Sequence, residues 1–66
     1  MEALKQFRIE SGMTQKELGE AVGVNRTVIT HWENGDRQPR VEHLPRIADA
    51  LGVSIDELVR GKEAEG

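Results

Sequence analysis

The sequence predicts an all-α domain, a compact bundle of five short helices. Apolar residues recur every three or four positions, and no stretch alternates apolar and polar residues for long enough to indicate a strand. Two segments, TQKE at 14–17 and SIDE at 54–57, have the pattern of a capping box, which begins a helix. Glycines follow three of the apolar stretches, at positions where glycine commonly ends a helix: Gly12, Gly23 and Gly52.

The first helix is predicted to end at Gly12, and the second to begin at Gln15 and end at Gly23. One face of the first helix holds Leu4, Phe7, Arg8 and Ser11. The second helix begins after the capping residue Thr14, and its inward residues are predicted to be Leu18, Ala21 and Val22.

Three more helices are expected after Gly23. Asn25 is a favourable N-cap for the third, whose apolar residues are Val28, Ile29 and Trp32. The segment ENGDRQP then indicates a loop, and residues 41–43 a turn. The fourth helix begins near Leu44, with Pro45 in its first turn, and presents Leu44, Ile47, Ala48 and Leu51. The fifth begins after Ser54, with Ile55 and Leu58 facing inward and Val59 as a further candidate for that face.

Composition narrows the classes to which the chain can belong. A chain of 66 residues has a small core, and without cysteine neither a disulfide nor a thiolate metal site can stabilise it. His31 and His43 lack carboxylates at ligand spacing, so no metal or cofactor is expected. No catalytic Ser, His and acid set or glycine-rich phosphate loop is evident, so we expect neither enzyme activity nor a small-molecule ligand.

Charge and hydropathy bear on location and partners. The N-terminal segment MEALKQFRIE is charged throughout, and no apolar run could span a membrane. With the lack of cysteine, this favours the cytoplasm. The net charge of −3 argues against nucleic acid, but residues 24–46 hold four arginines and three acidic residues, a local +1. The domain is expected to span residues 1–60, followed by a flexible tail, residues 61–66.

The second and third helices carry the pattern of a helix-turn-helix. Two helices that cross steeply need a small residue at the crossing, and Gly19 provides it. The turn needs a residue that tolerates positive φ, and Gly23 provides that. The apolar residues that anchor the third helix are Val24, Ile29 and Trp32. Trp32 lies beside Ile29, so it is predicted to be a core residue and not a stacking platform.

The segment TQKELGEAVGVNRTVITHWENG, followed by LPRIADALGVSIDEL, resembles the lambda-repressor-like, Cro/C1-type (XRE) helix-turn-helix family. The similarity covers about residues 2–60. It rests on the TQ-x-E-L opening, the Gly-Val turn, the ENG closure and the ALGVS-x-x-EL end. The resemblance implies a lambda-repressor-like fold and a transcriptional regulator, usually dimeric, that places the third helix in the major groove of double-stranded DNA.

The outer face of the third helix holds the candidates for reading bases. With Ile29 facing inward, helical geometry places Arg26, Thr27, Thr30, His31 and Asn34 outside or on the shoulder. Arginine can donate two hydrogen bonds to guanine, and threonine offers a hydroxyl and a methyl group. We therefore predict base contacts from Arg26, Thr27, Thr30 and His31. Thr30 could equally be a solvated surface residue. His31 could contact a phosphate instead of a base.

Phosphate contacts are expected around this helix. Gln15 begins the second helix, where free N–H groups favour an anion, and the resemblance implies the same role. Asn34, Arg37 and Arg40, in or beside the loop, are the other candidates. Arg37 and Arg40 could instead only solvate the loop, and for Arg40 the sequence leaves the choice open.

An internal ion pair is predicted between Arg8 and Glu33. Both lie on or near the inward faces of their helices, and a buried charge needs a partner. The resemblance implies such a pair as well. The alternative is that both side chains reach solvent.

Departures from the family pattern bear on affinity. Asp36 stands where a basic residue is common, and should weaken general DNA binding. Arg40 replaces a usual Ser or Thr cap, and Pro45 a usual aliphatic residue. Ile9 is apolar on an outer face, either as an isolated exposed residue or as a contact for a partner.

Two functions follow as hypotheses. The first is a small repressor or controller that binds a palindromic operator as a homodimer through Ile55, Leu58 and Val59 of the fifth helix. These three residues could instead close the monomer core, which is favoured for Leu58. The second is a protein-interaction module or antitoxin-like partner with the same fold, supported by Asp36 and the acidic balance.

Overall fold

The computed structural model describes residues 2–61 as five α-helices and one short 3-10 helix. In order they are α1 (Glu2–Glu10), α2 (Gln15–Val22), α3 (Arg26–Asn34), the 3-10 helix (Val41–His43), α4 (Leu44–Leu51) and α5 (Ile55–Arg60). The predicted all-α fold of five helices is confirmed. Of the tail predicted over residues 61–66, positions 62–66 lie outside the described residues.

The two predicted capping boxes are present with both hydrogen bonds. The Thr14 hydroxyl accepts from the Glu17 amide at 3.0 Å, and the Glu17 carboxylate accepts from the Thr14 amide at 2.9 Å. Ser54 and Glu57 form the same pair at 3.0 and 2.9 Å. Each box satisfies amide groups that the first turn of a helix leaves without a partner. The starts of α2 and α5 therefore follow from local sequence.

A single core joins the five helices. α2 packs against both α3 and α4, and α1 packs against α3 and α5. The buried apolar residues are Leu4, Leu18, Val22, Ile29, Trp32, Ile47, Ala48, Leu51 and Leu58. Trp32 is among them, with its ring 5.3 Å from that of His43, so its assignment to the core is confirmed.

Several predicted positions differ in the structure. Ala21 is exposed, because the buried stripe of the short α2 is filled by Leu18, Gly19 and Val22. Ser11 lies in the turn after α1, where its hydroxyl donates to the Leu51 carbonyl at 3.4 Å. Ile55, predicted to face inward, is 43% exposed, and Val59, a further candidate for that face, is 59% exposed. Leu58 is fully buried in the core, the alternative favoured for it over the dimer surface.

Gly19 sets the distance between α2 and the turn that follows it. A Cβ atom at this position would lie 2.6 Å from the carbonyl oxygen of Val24. The Gly19 carbonyl also accepts hydrogen bonds from the amides of Gly23 and Val24, at 2.8 and 2.9 Å. Gly23 has φ of 95°, a left-handed conformation that glycine adopts without strain. These two glycines fix the angle at which α3 leaves α2.

Arg8 and Glu33 form an ion pair that joins α1 to the end of α3. The Arg8 Nε donates to Glu33 Oε2 at 2.6 Å, and Nη2 donates to Oε1 at 3.2 Å. The third guanidinium nitrogen donates to the Met13 carbonyl at 2.8 Å. The side chains of Arg8 and Glu33 are only 12% and 2% exposed. The pair is thus removed from water, and each charge depends on the other.

Replacing Gly19 with Ala should destabilise the domain by about 1–3 kcal/mol, because the new methyl group overlaps the Val24 backbone. In a helix interior without that contact, the same change stabilises by up to about 1 kcal/mol. Urea denaturation measures the difference, with Glu20→Ala on the exposed side of α2 as the matched control. A Gly19→Ala variant as stable as the parent would contradict the close approach.

Replacing Arg8 with Ala should lower the free energy of unfolding by about 3–5 kcal/mol, because the Glu33 carboxylate stays buried without its charged partner. Arg60→Ala is the control, since Arg60 pairs with Asp56 on the surface of α5 at 3.0 Å, and such exposed pairs contribute about 0–1 kcal/mol. Thermal and urea melts compare the two. If both variants lose the same small amount of unfolding free energy, the internal pair contributes no more to stability than the surface pair.

Candidate nucleic-acid interface

Helix α3 has one buried face and one exposed face. Its buried residues are Ile29, Trp32 and Glu33, and its first turn is capped by Asn25, whose side chain accepts from the Val28 amide at 3.1 Å. On the opposite side, Arg26, Thr27 and Asn34 are exposed. Their side chains make no hydrogen bond or ion pair with any other residue in the range 2–61. They remain available to a partner outside the protein.

Thr30 and Gln15 are joined to each other, and so differ from these exposed residues. The Gln15 side-chain amide donates to Glu33 Oε1 at 3.0 Å. The Gln15 carbonyl oxygen lies 3.1 Å from the Thr30 hydroxyl, which also lies 3.2 Å from the backbone carbonyl of Arg26. Both side chains are half-buried. The start of α2 is therefore tied to the shoulder of α3, and through Glu33 to Arg8.

His31 lies on the outer side of α3 and is partly exposed. Its Nδ1 lies 3.4 Å from the carboxylate of Asp36, in the loop after the helix. Because a carboxylate can only accept, this contact favours a proton on Nδ1 and leaves Nε2 for an external partner. Asp36 thus adds a negative charge beside His31.

Two arginines lie on the loop side of α3. Arg37 and Arg40 are exposed, and together with His31 and Trp32 they line a shallow recess between α3 and the loop. Neither guanidinium has a hydrogen-bond or ion-pair partner within the described part of the chain. The structure therefore brings both arginines to the side of α3 that carries His31.

The sequence did not indicate the positions of two basic residues, Lys16 and Arg46. Lys16, Glu20 and Arg26 line one cleft, between α2 and the turn before α3, so that a second positive charge and one carboxylate lie near Arg26. The position of Lys16 directly after Gln15 in the TQKE box was the available signal. Arg46 of α4 donates to the Val22 carbonyl at 3.5 Å, at the end of α2. No sequence pattern indicated that long-range contact.

Residues 2–61 contain no group of three or more histidine and carboxylate side chains placed to hold a metal ion. None of the helices in the same range combines the length and the hydropathy needed to cross a bilayer.

Comparison with known proteins places this geometry in a family. A family model described as helix-turn-helix matches residues 4–58. The HTH-type transcriptional activator BcrR of Enterococcus faecalis is 42% identical over 62 residues, which are 94% of this chain and 30% of that protein. Among four curated relatives with 31–42% identity, BcrR included, the chain spans only 30–59% of the relative's length.

Solved structures match over most of the chain. The P22 c2 repressor, in complex with a synthetic operator, is 33% identical with a TM-score of 0.81, and the match covers 86% of each chain. The master regulator for biofilm formation SinR, in complex with DNA, is 29% identical with a TM-score of 0.81, over 88% of this chain and 94% of that one. These relatives are transcriptional regulators and not enzymes, as the sequence analysis expected. The chain therefore belongs to the Cro/C1-type helix-turn-helix family.

Proposed function

We propose that the domain binds double-stranded DNA in a sequence-specific manner and regulates transcription as a small repressor or controller. The observation that carries this proposal is the outer face of α3, where Arg26, Thr27 and Asn34 are exposed and have no partner in the described chain. A helix of this diameter fits the major groove, where donors and acceptors of the base edges are accessible. The P22 c2 repressor and SinR, both solved with DNA, support it by similarity.

Base reading is assigned to Arg26, Thr27, Thr30 and His31. Arg26 lies in the first turn of α3, and its free guanidinium can donate two hydrogen bonds to guanine. The exposed Thr27 follows directly, and His31 lies one turn further along the same side. These contacts depend on hydrogen-bonding geometry, so they are compatible with the low net charge of the chain.

Phosphate binding is assigned to residues around α3. Arg37 and Arg40 provide two unpaired positive charges on the loop side, and Asn34 an exposed amide at the end of α3. Gln15 keeps one amide hydrogen after donating to Glu33, and it lies at the N-terminal end of α2, where anions are favoured. Lys16 adds a positive charge on the opposite side, beside Arg26. Such contacts set the register of α3 on the duplex.

A homodimer on a palindromic operator follows as part of the proposal, because a single domain of this size makes few contacts. Ile55 and Val59 are four residues apart on α5 and are 43% and 59% exposed. They form an apolar patch that a second copy can cover, without Leu58, which belongs to the core. We place the protein in the cytoplasm, on the nucleoid.

The alternative is a protein-interaction module, antitoxin-like or otherwise, with the same fold. Asp36 favours it, because its carboxylate lies beside His31 on the face that would approach the phosphates. The two functions differ in their dependence on salt, since phosphate binding releases counterions from DNA.

Binding to duplex DNA across a salt series tests the proposal. We expect the affinity for DNA to fall steeply as the salt concentration rises. Arg37→Ala should weaken binding to all duplexes alike and reduce the slope of log K against log salt concentration by about 1. Arg26→Ala should weaken binding to the preferred duplex by about 1–3 kcal/mol and have little effect on binding to other duplexes. Arg60→Ala, paired with Asp56 on α5, is the control without an expected effect. Absent binding, or binding that does not respond to salt, would favour the interaction module.

Sedimentation equilibrium tests the dimer surface. Val59→Glu introduces a charge into the apolar patch, and should raise the dimer dissociation constant roughly tenfold or more, the equivalent of about 1.4 kcal/mol. Ile9→Glu is the matched control, because Ile9 is 57% exposed on α1, outside the proposed surface. If Ile9→Glu dissociates the dimer and Val59→Glu does not, the surface lies on α1.

A further inference from the structure

The hydroxyl group of Thr30 has two acceptors inside the protein. Its oxygen lies 3.1 Å from the side-chain oxygen of Gln15 and 3.2 Å from the backbone carbonyl of Arg26. A hydroxyl has one hydrogen to donate, and both neighbours can only accept it. Whichever of the two receives that hydrogen, it is directed into the protein.

Glu33 fixes the orientation of the Gln15 amide that takes part in this arrangement. The carboxylate of Glu33 only accepts, so the Gln15 group that faces it at 3.0 Å must be the amino group. The amide oxygen is then the group that faces Thr30. The carboxylate itself is held by Arg8, with N–O distances of 2.6 and 3.2 Å. A reversed Gln15 amide would still leave the Arg26 carbonyl as the acceptor for the Thr30 hydrogen.

We infer that Thr30 determines specificity at one operator base pair as an acceptor-only contact. With its hydrogen committed, the side chain offers a base only oxygen lone pairs and a methyl group. The groups it suits in the major groove are the amino groups of adenine and cytosine. Guanine O6 and N7 need a donor, so guanine is disfavoured at the base that Thr30 contacts. This inference rests on the proposed DNA binding, and it adds which bases are preferred at the position that Thr30 contacts.

Thr27 gives an internal comparison on the same helix. It is exposed, and its hydroxyl has no hydrogen-bond partner among residues 2–61. It can therefore donate or accept, and it carries no built-in preference between a base acceptor and a base amino group. Two threonines three residues apart thus differ in what they can recognise, because only Thr30 has acceptors for its hydroxyl hydrogen inside the protein.

Selection of duplexes from a random pool tests the inference. The wild type, Thr30→Val and Thr30→Ser are each selected, and Thr27→Val serves as the matched control. Valine keeps the shape and removes the hydroxyl, whereas serine keeps the hydroxyl and its internal acceptors. We expect one position per half-site to require adenine or cytosine in the wild type and in Thr30→Ser. That requirement should be lost in Thr30→Val, and Thr27→Val should alter a different position.

A second measurement uses the wild-type protein with a modified duplex. At the Thr30-dependent position, the base is replaced by an analogue that lacks the amino group. The wild type should lose roughly three- to tenfold in affinity, the range of one hydrogen bond, and Thr30→Val less than about twofold.

The outcomes separate this inference from the proposed function. If the wild type selects a defined duplex but Thr30→Val selects the same one with equal discrimination, the inference is overturned and DNA recognition by α3 stands. A preference for guanine at the Thr30-dependent position also overturns it. If the wild type binds no duplex, or all duplexes alike, the proposed function fails and the inference fails with it.

Discussion

Burial of the Glu33 carboxylate is unfavourable unless its oxygens receive hydrogen bonds, and three N–H groups supply them. Two come from Arg8 on α1 and one from Gln15 at the start of α2, at 2.6, 3.2 and 3.0 Å. Glu33 itself is near the end of α3. One buried group therefore joins the first three helices, and Gln15 extends the connection to Thr30. Because a partly satisfied network of this kind is unfavourable, α1, α2 and α3 are expected to keep one relative arrangement.

The same network relates stability to recognition. The side chains that hold Glu33 include one predicted to contact DNA, and Gln15 in turn binds another, Thr30. The residues without internal partners, such as Arg26 and Thr27, lie further out on α3. The exposed face of α3 is thus a mixture of free side chains and side chains whose hydrogen-bonding capacity is already partly used. Recognition by both kinds of side chain depends on their hydrogen bonds and not on the net charge of the chain. A chain with a net negative charge is therefore compatible with specific binding.

Much of the fold was predictable because its signals are local. The capping boxes at Thr14 and Ser54 determine where two helices begin, and each depends on residues three apart. Burial was less predictable where it depends on neighbouring helices. Ala21 fits the inward face of α2 by periodicity, but Leu18, Gly19 and Val22 form the buried stripe of this helix and Ala21 is exposed. Leu58 and Val59 are adjacent apolar residues, and only the packing of α5 separates core from surface.

For the site, periodicity identified which residues lie on α3's outer side, and it identified the inward positions of Arg8 and Glu33. It did not show that Gln15 and Thr30 bind each other, because they are fifteen residues apart and the contact depends on the crossing at Gly19. The Arg46 contact with the Val22 carbonyl is long-range in the same way. Pairings across helices require the three-dimensional arrangement, even where each helix is evident from the sequence.

The central claim is that the outer face of α3, continued by the loop that carries Arg37 and Arg40, is the surface that meets DNA. Titration of the 15N-labelled protein with duplex DNA, followed by amide chemical shifts, tests it residue by residue. The account predicts the largest changes at residues 26–31 and 34–40 and at Gln15, with little change at Lys5, Gln6 and Glu10 on the exposed side of α1. Changes centred on α1, with residues 26–40 unaffected, would contradict it.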